Sequence, residues 1–89
     1  MGEFKINEEG LNKVVERFWN KRDAREICGS VEVLRKVLLE YAKNTTDQCV
    51  NCIYSSPTRG RISWSKRYCA LKLKPNGNCP MHTPIVAKE

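Results

Sequence analysis

The chain has 89 residues, of which 40% are hydrophobic and 29% are charged. This length suits one small domain, and the composition is typical of a folded soluble protein, not of a disordered one. No apolar run is long enough to span a membrane, and the first residues lack the apolar core of a signal peptide. We therefore expect a cytoplasmic protein with no membrane partner.

The net charge of +6 lies in one half of the chain. Residues 1–48 contain nine basic and nine acidic side chains, whereas residues 49–89 contain seven basic side chains and one acidic, Glu89. A basic segment of this kind attracts phosphate backbones or acidic protein surfaces. The simpler interpretation is that these are ordinary solvated side chains on a loop-rich module.

The first predicted helix follows Asn7, whose side chain can cap it. Glu8 and Glu9 in its first turn suit the positive end of the helix dipole. Its apolar face is formed by residues at the i, i+3, i+4, i+7 spacing, namely Leu11, Val14, Val15 and Phe18.

Two further helices are predicted on either side of Gly29, which can adopt the left-handed conformation that ends a helix. The second helix covers about residues 21–28, and its apolar face contains Ala24, Ile27 and Cys28. Cys28 is predicted to be a core thiol. Ser30 can cap the third helix, which continues to about residue 44. The apolar stripe of the third helix is formed by Val31, Leu34, Leu38 and Tyr41.

Residues 23–38 resemble a helix-turn-helix, which needs a small residue where the helices cross and a glycine at the turn. Ala24 and Gly29 could fill these two roles, and Val33 and Val37 could be the apolar anchors of the second helix. Arg35 and Lys36 would then face DNA. The alternative is an ordinary three-helix packing unit, because the third helix is as apolar as a core helix.

Four of the five cysteines lie in the second half, with the spacing Cys49-x2-Cys52-x16-Cys69-x9-Cys79. A Cys-x2-Cys pair can direct two thiolates to one metal from a single turn, and distant parts of the chain supply the other ligands. This half is poor in apolar residues, so we expect a metal or disulfide staple to fold it. A metal or cluster bound by these four cysteines is predicted, with a pair of disulfides as the alternative.

The identity of the metal is open between zinc and iron. Zinc is common in four-cysteine sites, and His82 could replace one thiolate. However, Cys69 and Cys79 do not form a second close pair, and a four-iron cluster tolerates ligands that arrive separately along the chain.

Two short strands are predicted where apolar and polar residues alternate, around Ile62 and Trp64 and around Leu71 and Leu73. The expected fold is therefore a small α+β fold. In it, a three-helix unit of residues 1–46 packs on a loop-rich four-cysteine module of residues 47–89, within one compact domain.

The run Cys49-Val50-Asn51-Cys52-Ile53-Tyr54 is followed by Trp64, by Cys69-Ala70-Leu71 and by Asn76-Gly77-Asn78-Cys79. This pattern, within residues 49–82, resembles the cluster-binding segment of high-potential iron–sulfur proteins. Those proteins have a Cys-x-Asn-Cys start, an aromatic residue two positions later, a tryptophan before the third cysteine and a glycine shortly before the fourth. Similar modules occur as small accessory subunits of some glycyl-radical enzymes. The resemblance implies a [4Fe–4S] cluster with one iron on each of the four cysteines, shielded by Tyr54 and Trp64. We favour this cluster over zinc.

Basic and aromatic residues are mixed in the second half of the chain, and such a mixture can hold phosphates and stack bases. The basic residues are Arg59, Arg61, Lys66 and Arg67, and the aromatic residues are Tyr54, Trp64 and Tyr68. Packing around the metal is the other use of these aromatic residues.

The sequence contains no nucleophile with a base and orienter, no phosphate-cradling glycine loop and no carboxylate pair, so we do not expect an enzyme. We expect a small nucleic-acid-binding regulator of transcription with a four-cysteine centre, and DNA is favoured over RNA. The alternatives are an iron–sulfur accessory or electron-transfer subunit that docks on an acidic protein, and a structural zinc adaptor.

Overall fold

A computed structural model describes residues 4–72 and 79–88. These residues form three helices and two antiparallel two-stranded sheets, which confirms the predicted small α+β fold with its N-terminal helical unit. The helices are α1 (Glu8–Trp19), α2 (Arg22–Cys28) and α3 (Val31–Lys43), and the strands are β1 (Phe4–Ile6), β2 (Ser55–Pro57), β3 (Arg67–Cys69) and β4 (Val86–Lys88). None of the described helices has the length and apolar character needed to cross a bilayer.

Local signals set the ends of the helices. Asn7 Oδ1 accepts a hydrogen bond from the N–H of Gly10 at 3.0 Å, and Ser30 Oγ accepts one from the N–H of Val33 at 3.3 Å. Gly29 ends α2 with a φ of 76°, which residues with a side chain rarely adopt. Both predicted caps and the predicted break between α2 and α3 are therefore confirmed.

One apolar core joins the helices to the C-terminal segment. Its buried members are Leu11, Val14, Val15 and Phe18 of α1, Ala24 and Cys28 of α2, Leu34, Leu38 and Ala42 of α3, and Ile85 and Val86. Cys28 lies in this core, as predicted. Ile27 and Val31 are exposed, so the apolar stripes of α2 and α3 are narrower than predicted.

The two sheets connect distant parts of the chain. Strand β1 pairs with β4, with Ile6 opposite Val86, and the N–H of Asn7 donates to the carbonyl of Ile85 at 2.8 Å. Strand β2 pairs with β3 within the cysteine half. The first sheet therefore fastens the C-terminal segment to the start of α1, beside the core.

The strand predicted around Ile62 and Trp64 is wrong, because these residues lie in an irregular loop. Their side chains pack against the core, and the ring of Trp64 stacks on Phe18 and Tyr41 with centroids 6.0 and 6.3 Å apart. The N–H of Ile62 donates to Asp23 Oδ2 at 3.2 Å and not to a neighbouring strand. The alternation of apolar and polar residues reflects the burial of two side chains against the helices.

The strand predicted around Leu71 and Leu73 is also wrong at Leu71, which lies in a turn. The N–H of Lys72 donates to the carbonyl of Cys69 at 2.8 Å, so the chain turns immediately after β3. Leu73 lies outside the described residues.

Helix α1 supports the first two cysteines through close contact with the segment that follows them. Arg17 Nη1 donates to the carbonyls of Ile53 and Ser55 at 2.7 and 3.1 Å. A Cβ atom on Gly10 would overlap the side chain of Ile53. Glycine at this position therefore allows the cysteine segment to lie directly on the helix.

Replacement of Gly10 by alanine tests this contact. Alanine favours a helix over glycine by about 1 kcal/mol, but the added methyl group would displace Ile53, and overpacking costs about 1–3 kcal/mol. We expect Gly10→Ala to lower the free energy of unfolding, measured by chemical denaturation. Lys13→Ala, at an exposed position of α1, should change it by less than about 0.5 kcal/mol. A Gly10→Ala protein that is more stable than the wild type would contradict the close approach of the two segments.

Candidate metal centre

The four cysteines of the second half meet at one cavity. The residues that line it are Cys49, Cys52, Cys69 and Cys79 together with Gln48, Tyr54, Ser55 and His82. The predicted ligand set and the alternative ligand His82 are therefore neighbours in space. Cys28, the fifth cysteine, lies in the core and does not line this cavity.

The cysteines come from three separate parts of the chain. Cys49 and Cys52 lie in the turn that follows α3, and Cys69 ends β3. Cys79 is held beside them because its N–H donates to Gln48 Oε1 at 3.1 Å. The chain therefore surrounds the cavity from several directions.

Two of the sulfur atoms accept hydrogen bonds from the backbone in the same local pattern. The N–H of Tyr54 donates to Cys52 Sγ at 3.5 Å, and the N–H of Leu71 donates to Cys69 Sγ at 3.4 Å. In each case the donor lies two residues after the cysteine. Such bonds stabilise negative charge on sulfur and tune the properties of a metal bound to it.

The Cys49 thiol is affected electrostatically by its neighbours. Burial raises the pKa of the Cys49 thiol, and the charges of Asp47 and of the other three cysteines raise it further. Metal ligands must be thiolates, so a cation in the cavity would remove this mutual repulsion. The donor set therefore fits a thiolate-bound metal centre.

Within residues 4–72 and 79–88, no three side chains of His, Cys, Asp or Glu converge closely enough to hold a single metal ion. All five cysteines are free thiols, and none is paired in a disulfide.

The orientation of His82 is fixed by the segment between the first two cysteines. Its Nε2 lies 2.8 Å from the carbonyl oxygen of Asn51. A carbonyl can only accept a hydrogen bond, so Nε2 carries the proton and Nδ1 keeps a free lone pair. Histidines that bind metals through one ring nitrogen commonly donate the other N–H to a backbone carbonyl. His82 therefore has the tautomer that a metal ligand needs.

Asn51 also fastens the C-terminal segment to the cysteine turn. Its Oδ1 accepts hydrogen bonds from the N–H groups of Ile85 and Val86 at 3.0 and 2.9 Å, and its Nδ2 donates to the carbonyl of Val86 at 2.7 Å. These bonds hold His82 and the start of β4 beside Cys49 and Cys52. Sequence reasoning included Asn51 only within the resemblance and did not identify this structural role.

The aromatic residues named by the resemblance have different surroundings. Tyr54 lines the cavity. Trp64 packs against the core, where it stacks on Phe18 and Tyr41, and is not one of the residues that line the cavity. Gly77 lies outside the described residues.

The basic loop, residues 58–66, carries three exposed basic side chains, Arg59, Arg61 and Lys66. It is held against α2 because Lys21 Nζ donates to the carbonyl of Gly60 at 2.9 Å and the N–H of Ile62 donates to Asp23. Within the described part of the chain, none of its three basic side chains forms an ion pair or a side-chain hydrogen bond. The basic loop therefore presents cationic groups that are free to meet a ligand.

The basic residues of α3 have different environments. Arg35 donates to Asn12 Oδ1 at 2.7 Å and forms an ion pair with Glu8 at 3.3 Å. Lys36 is exposed. The exposed face of α3 carries charges of both signs one turn apart, namely Glu32, Lys36 and Glu40. This face is less cationic than the basic loop.

Arg67 lies apart from the other predicted nucleic-acid contacts. Its guanidinium carbon is 4.5 Å from the centre of the Phe18 ring, and its Nη2 is buried. Arg67 is therefore part of the interior packing between α1 and the cysteine half.

Comparison with known proteins gives no assignment, because no protein-family model, curated protein or solved structure matches the chain. Sequence reasoning found the cysteines of the site and His82 from their spacing, but it missed Gln48, Ser55 and Arg17. Their contacts join residues far apart in the chain, and no local pattern indicates them.

Replacement of Asn51 by alanine tests how the site is held together. The change would remove three hydrogen bonds to part-buried backbone groups of Ile85 and Val86, and each such bond contributes about 1 kcal/mol. We expect Asn51→Ala to lower the free energy of unfolding by about 3 kcal/mol, measured by urea denaturation. Asn20→Ala, at an exposed position, is the matched control and should have little effect. Equal stability of the two variants would show that Asn51 does not organise the site.

Proposed function

We propose that the chain is a small metal-centre protein in which Cys49, Cys52, Cys69 and Cys79 hold a [4Fe–4S] cluster. The observation that carries this proposal is that four cysteines, from separate parts of the chain, line a single cavity. The backbone hydrogen bonds to two of the sulfur atoms give further support. A bound cluster would supply one-electron redox chemistry.

The arrangement of the cysteines favours a cluster over zinc. Zinc binds four ligands around one point, with sulfur atoms at about 2.3 Å from the metal. A four-iron cluster is larger and takes its ligands from around a volume. The cysteines here line a shared cavity, and within the described residues no three of their side chains converge on one point. One zinc ion is the alternative, with His82 as a ligand through Nδ1, because hydrogen bonding leaves that nitrogen free.

Metal analysis of cysteine variants tests the centre. Protein purified without oxygen should be brown and contain about four irons and four sulfides per chain, as measured by absorption spectroscopy and elemental analysis. Cys69→Ser should lose most of this iron, because a hydroxyl is a poor replacement for a thiolate ligand. Cys28→Ala is the matched control and should keep the full content, since Cys28 lies in the core.

The outcomes separate the candidates. A colourless wild-type protein with one zinc ion would contradict the proposed cluster and support the zinc site. A wild-type protein with neither metal, or a Cys69→Ser protein with undiminished metal, would contradict the proposed ligand set.

The proposed partner is nucleic acid, with duplex DNA favoured over RNA. The three exposed cations of the basic loop have no partner within the described residues, so phosphates could approach them without breaking an existing ion pair. The face of α3 carries acidic residues beside Lys36, so the basic loop is the better phosphate-binding surface. In this proposal the protein is a cytoplasmic regulator of transcription that acts by binding and not by catalysis. Sequence reading by α3, as in a helix-turn-helix, stays a prediction.

A salt titration tests the nucleic-acid partner. The logarithm of the affinity for duplex DNA should fall linearly with the logarithm of salt concentration, because phosphate contacts release counterions. Replacement of Arg59, Arg61 and Lys66 by glutamine should reduce the slope by about 3, or about 1 for each lost contact. Lys36→Gln is the control on α3 and should leave the slope unchanged. A loss of sequence preference in Lys36→Gln would instead support the helix-turn-helix prediction.

A docking function is the second candidate. Two residues close in sequence to the proposed ligands expose apolar side chains, Leu71 beside Cys69 and Met81 beside Cys79. Apolar groups of this kind, with basic residues nearby, suit an iron–sulfur subunit that docks on an acidic protein. Reversible reduction of the centre together with no affinity for DNA at low salt would overturn the nucleic-acid proposal in favour of this one.

A further inference from the structure

The guanidinium group of Arg67 is directed into the protein, two residues before Cys69 in β3. Its Nε donates to the carbonyl of Trp64 at 3.0 Å, and its Nη1 donates to Ser55 Oγ at 3.3 Å. The group also lies over the ring of Phe18. Its Nη2 is buried and has no hydrogen-bond partner in the described part of the chain.

Among the described residues this cation forms no ion pair, and Asp47 is the acidic group whose charge acts on it. The two ion pairs of the described residues join Arg22 to Glu26 and Arg35 to Glu8. A guanidinium group keeps its charge at neutral pH. A buried charge is costly unless an opposite charge compensates it. Further negative charge nearby would therefore stabilise Arg67.

Ser55 connects Arg67 to the cysteine cavity. The residue is 1% exposed, lines the cavity and lies opposite Cys69 in the pairing of β2 with β3. Because Ser55 Oγ accepts a hydrogen bond from Arg67, its own O–H remains available as a donor. A sulfur atom in the cavity is an acceptor of the kind that this hydroxyl would meet.

We propose that Arg67 and Ser55 together form the internal counter-charge of the metal centre. Arg67 supplies the positive charge, and the Ser55 hydroxyl donates a hydrogen bond to a sulfur atom of the centre. The inference rests on the proposed metal site and assigns it two positioning residues.

The direction in which Arg67 and Ser55 shift the reduction equilibrium follows from the charge of the metal centre. Four thiolates carry more negative charge than one zinc ion or one oxidised [4Fe–4S] cluster carries positive charge, so either centre is anionic. One-electron reduction, with the electron supplied by the titrant, makes a cluster more negative. A nearby cation and a hydrogen-bond donor therefore stabilise the reduced state more than the oxidised state.

Arg67→Met removes the charge and keeps an unbranched stem to pack on Phe18. Lys66→Met is the matched control, because it removes the same charge from the adjacent exposed position, where solvent screens it. At a fixed potential, the ratio of reduced to oxidised cluster should fall at least tenfold in Arg67→Met, which corresponds to about 59 mV for a one-electron couple. Lys66→Met should change this ratio by less than about twofold, because exposed charges interact weakly. Arg67→Lys, which keeps the charge, should recover most of the loss.

Ser55→Ala tests the same proposal if Arg67→Met fails to fold, because this substitution removes only the hydroxyl group. The reduced fraction should fall severalfold in this variant. A second readout is the rate at which a chelator removes the metal, whether iron or zinc. This rate should rise at least severalfold in Arg67→Met and Ser55→Ala but not in Lys66→Met.

The outcomes distinguish this inference from the proposed function. A wild-type protein that binds no metal overturns both. A wild-type protein that binds metal, with the same reduced fraction and chelator rate in Ser55→Ala and Lys66→Met, overturns the counter-charge alone. Equal shifts in Arg67→Met and Lys66→Met would likewise show that only the net charge of the protein matters and not the buried position of Arg67.

Discussion

The side chain of Asn51 is the connection on which the arrangement of the cysteine half depends. The residue lies between Cys49 and Cys52, yet its amide bonds to the backbone of Ile85 and Val86, more than thirty residues later. Those two residues are buried in the core that the helices build. The first cysteine pair is therefore attached to the core by three hydrogen bonds as well as by the chain itself. Because the carbonyl of Asn51 also meets the ring of His82, one residue sets the positions of groups on two sides of the cavity.

Helix α1 is the second element that supports the cysteine half, and it does so through both apolar contacts and hydrogen bonds. Gly10 lets Ile53 approach the helix, and Arg17 satisfies two carbonyls of the chain that follows Cys52. Phe18 packs in the core and also lies against the guanidinium of Arg67. The helical unit and the cysteine module consequently share contacts near both ends of α1. A metal that stabilised the cysteine segment would therefore also stabilise the helices, since binding and folding are linked.

The features predicted correctly from the sequence are those that depend on near neighbours. The caps at Asn7 and Ser30 and the break at Gly29 involve residues at most three positions apart. The spacing of the cysteines likewise identified residues that line one cavity. The strands were not predictable in the same way, because β1 pairs with β4 from the other end of the chain. The alternation at Ile62 and Trp64 looked like a strand because burial against helices can produce the same pattern. Arg67 looked like a surface cation because the Phe18 ring that covers it lies on α1.

Basic side chains of the second half occupy different environments in the structure. Arg67 faces inward and donates a hydrogen bond to Ser55, which lines the cysteine cavity, whereas the cations of the basic loop face solvent. The two groups are joined over a short distance, since β3 follows the basic loop directly and Arg67 holds the carbonyl of Trp64 within that loop. In the proposed function, a change in the charge of the centre would act first on Arg67 and then on the position of the basic loop. Linkage makes such a coupling reciprocal. If the reduced centre altered the affinity for a phosphate backbone by some factor, the bound nucleic acid would alter the reduction equilibrium by the same factor. In that proposal, the short path from Cys69 through Arg67 to Trp64 would connect the redox state of the centre to the protein surface.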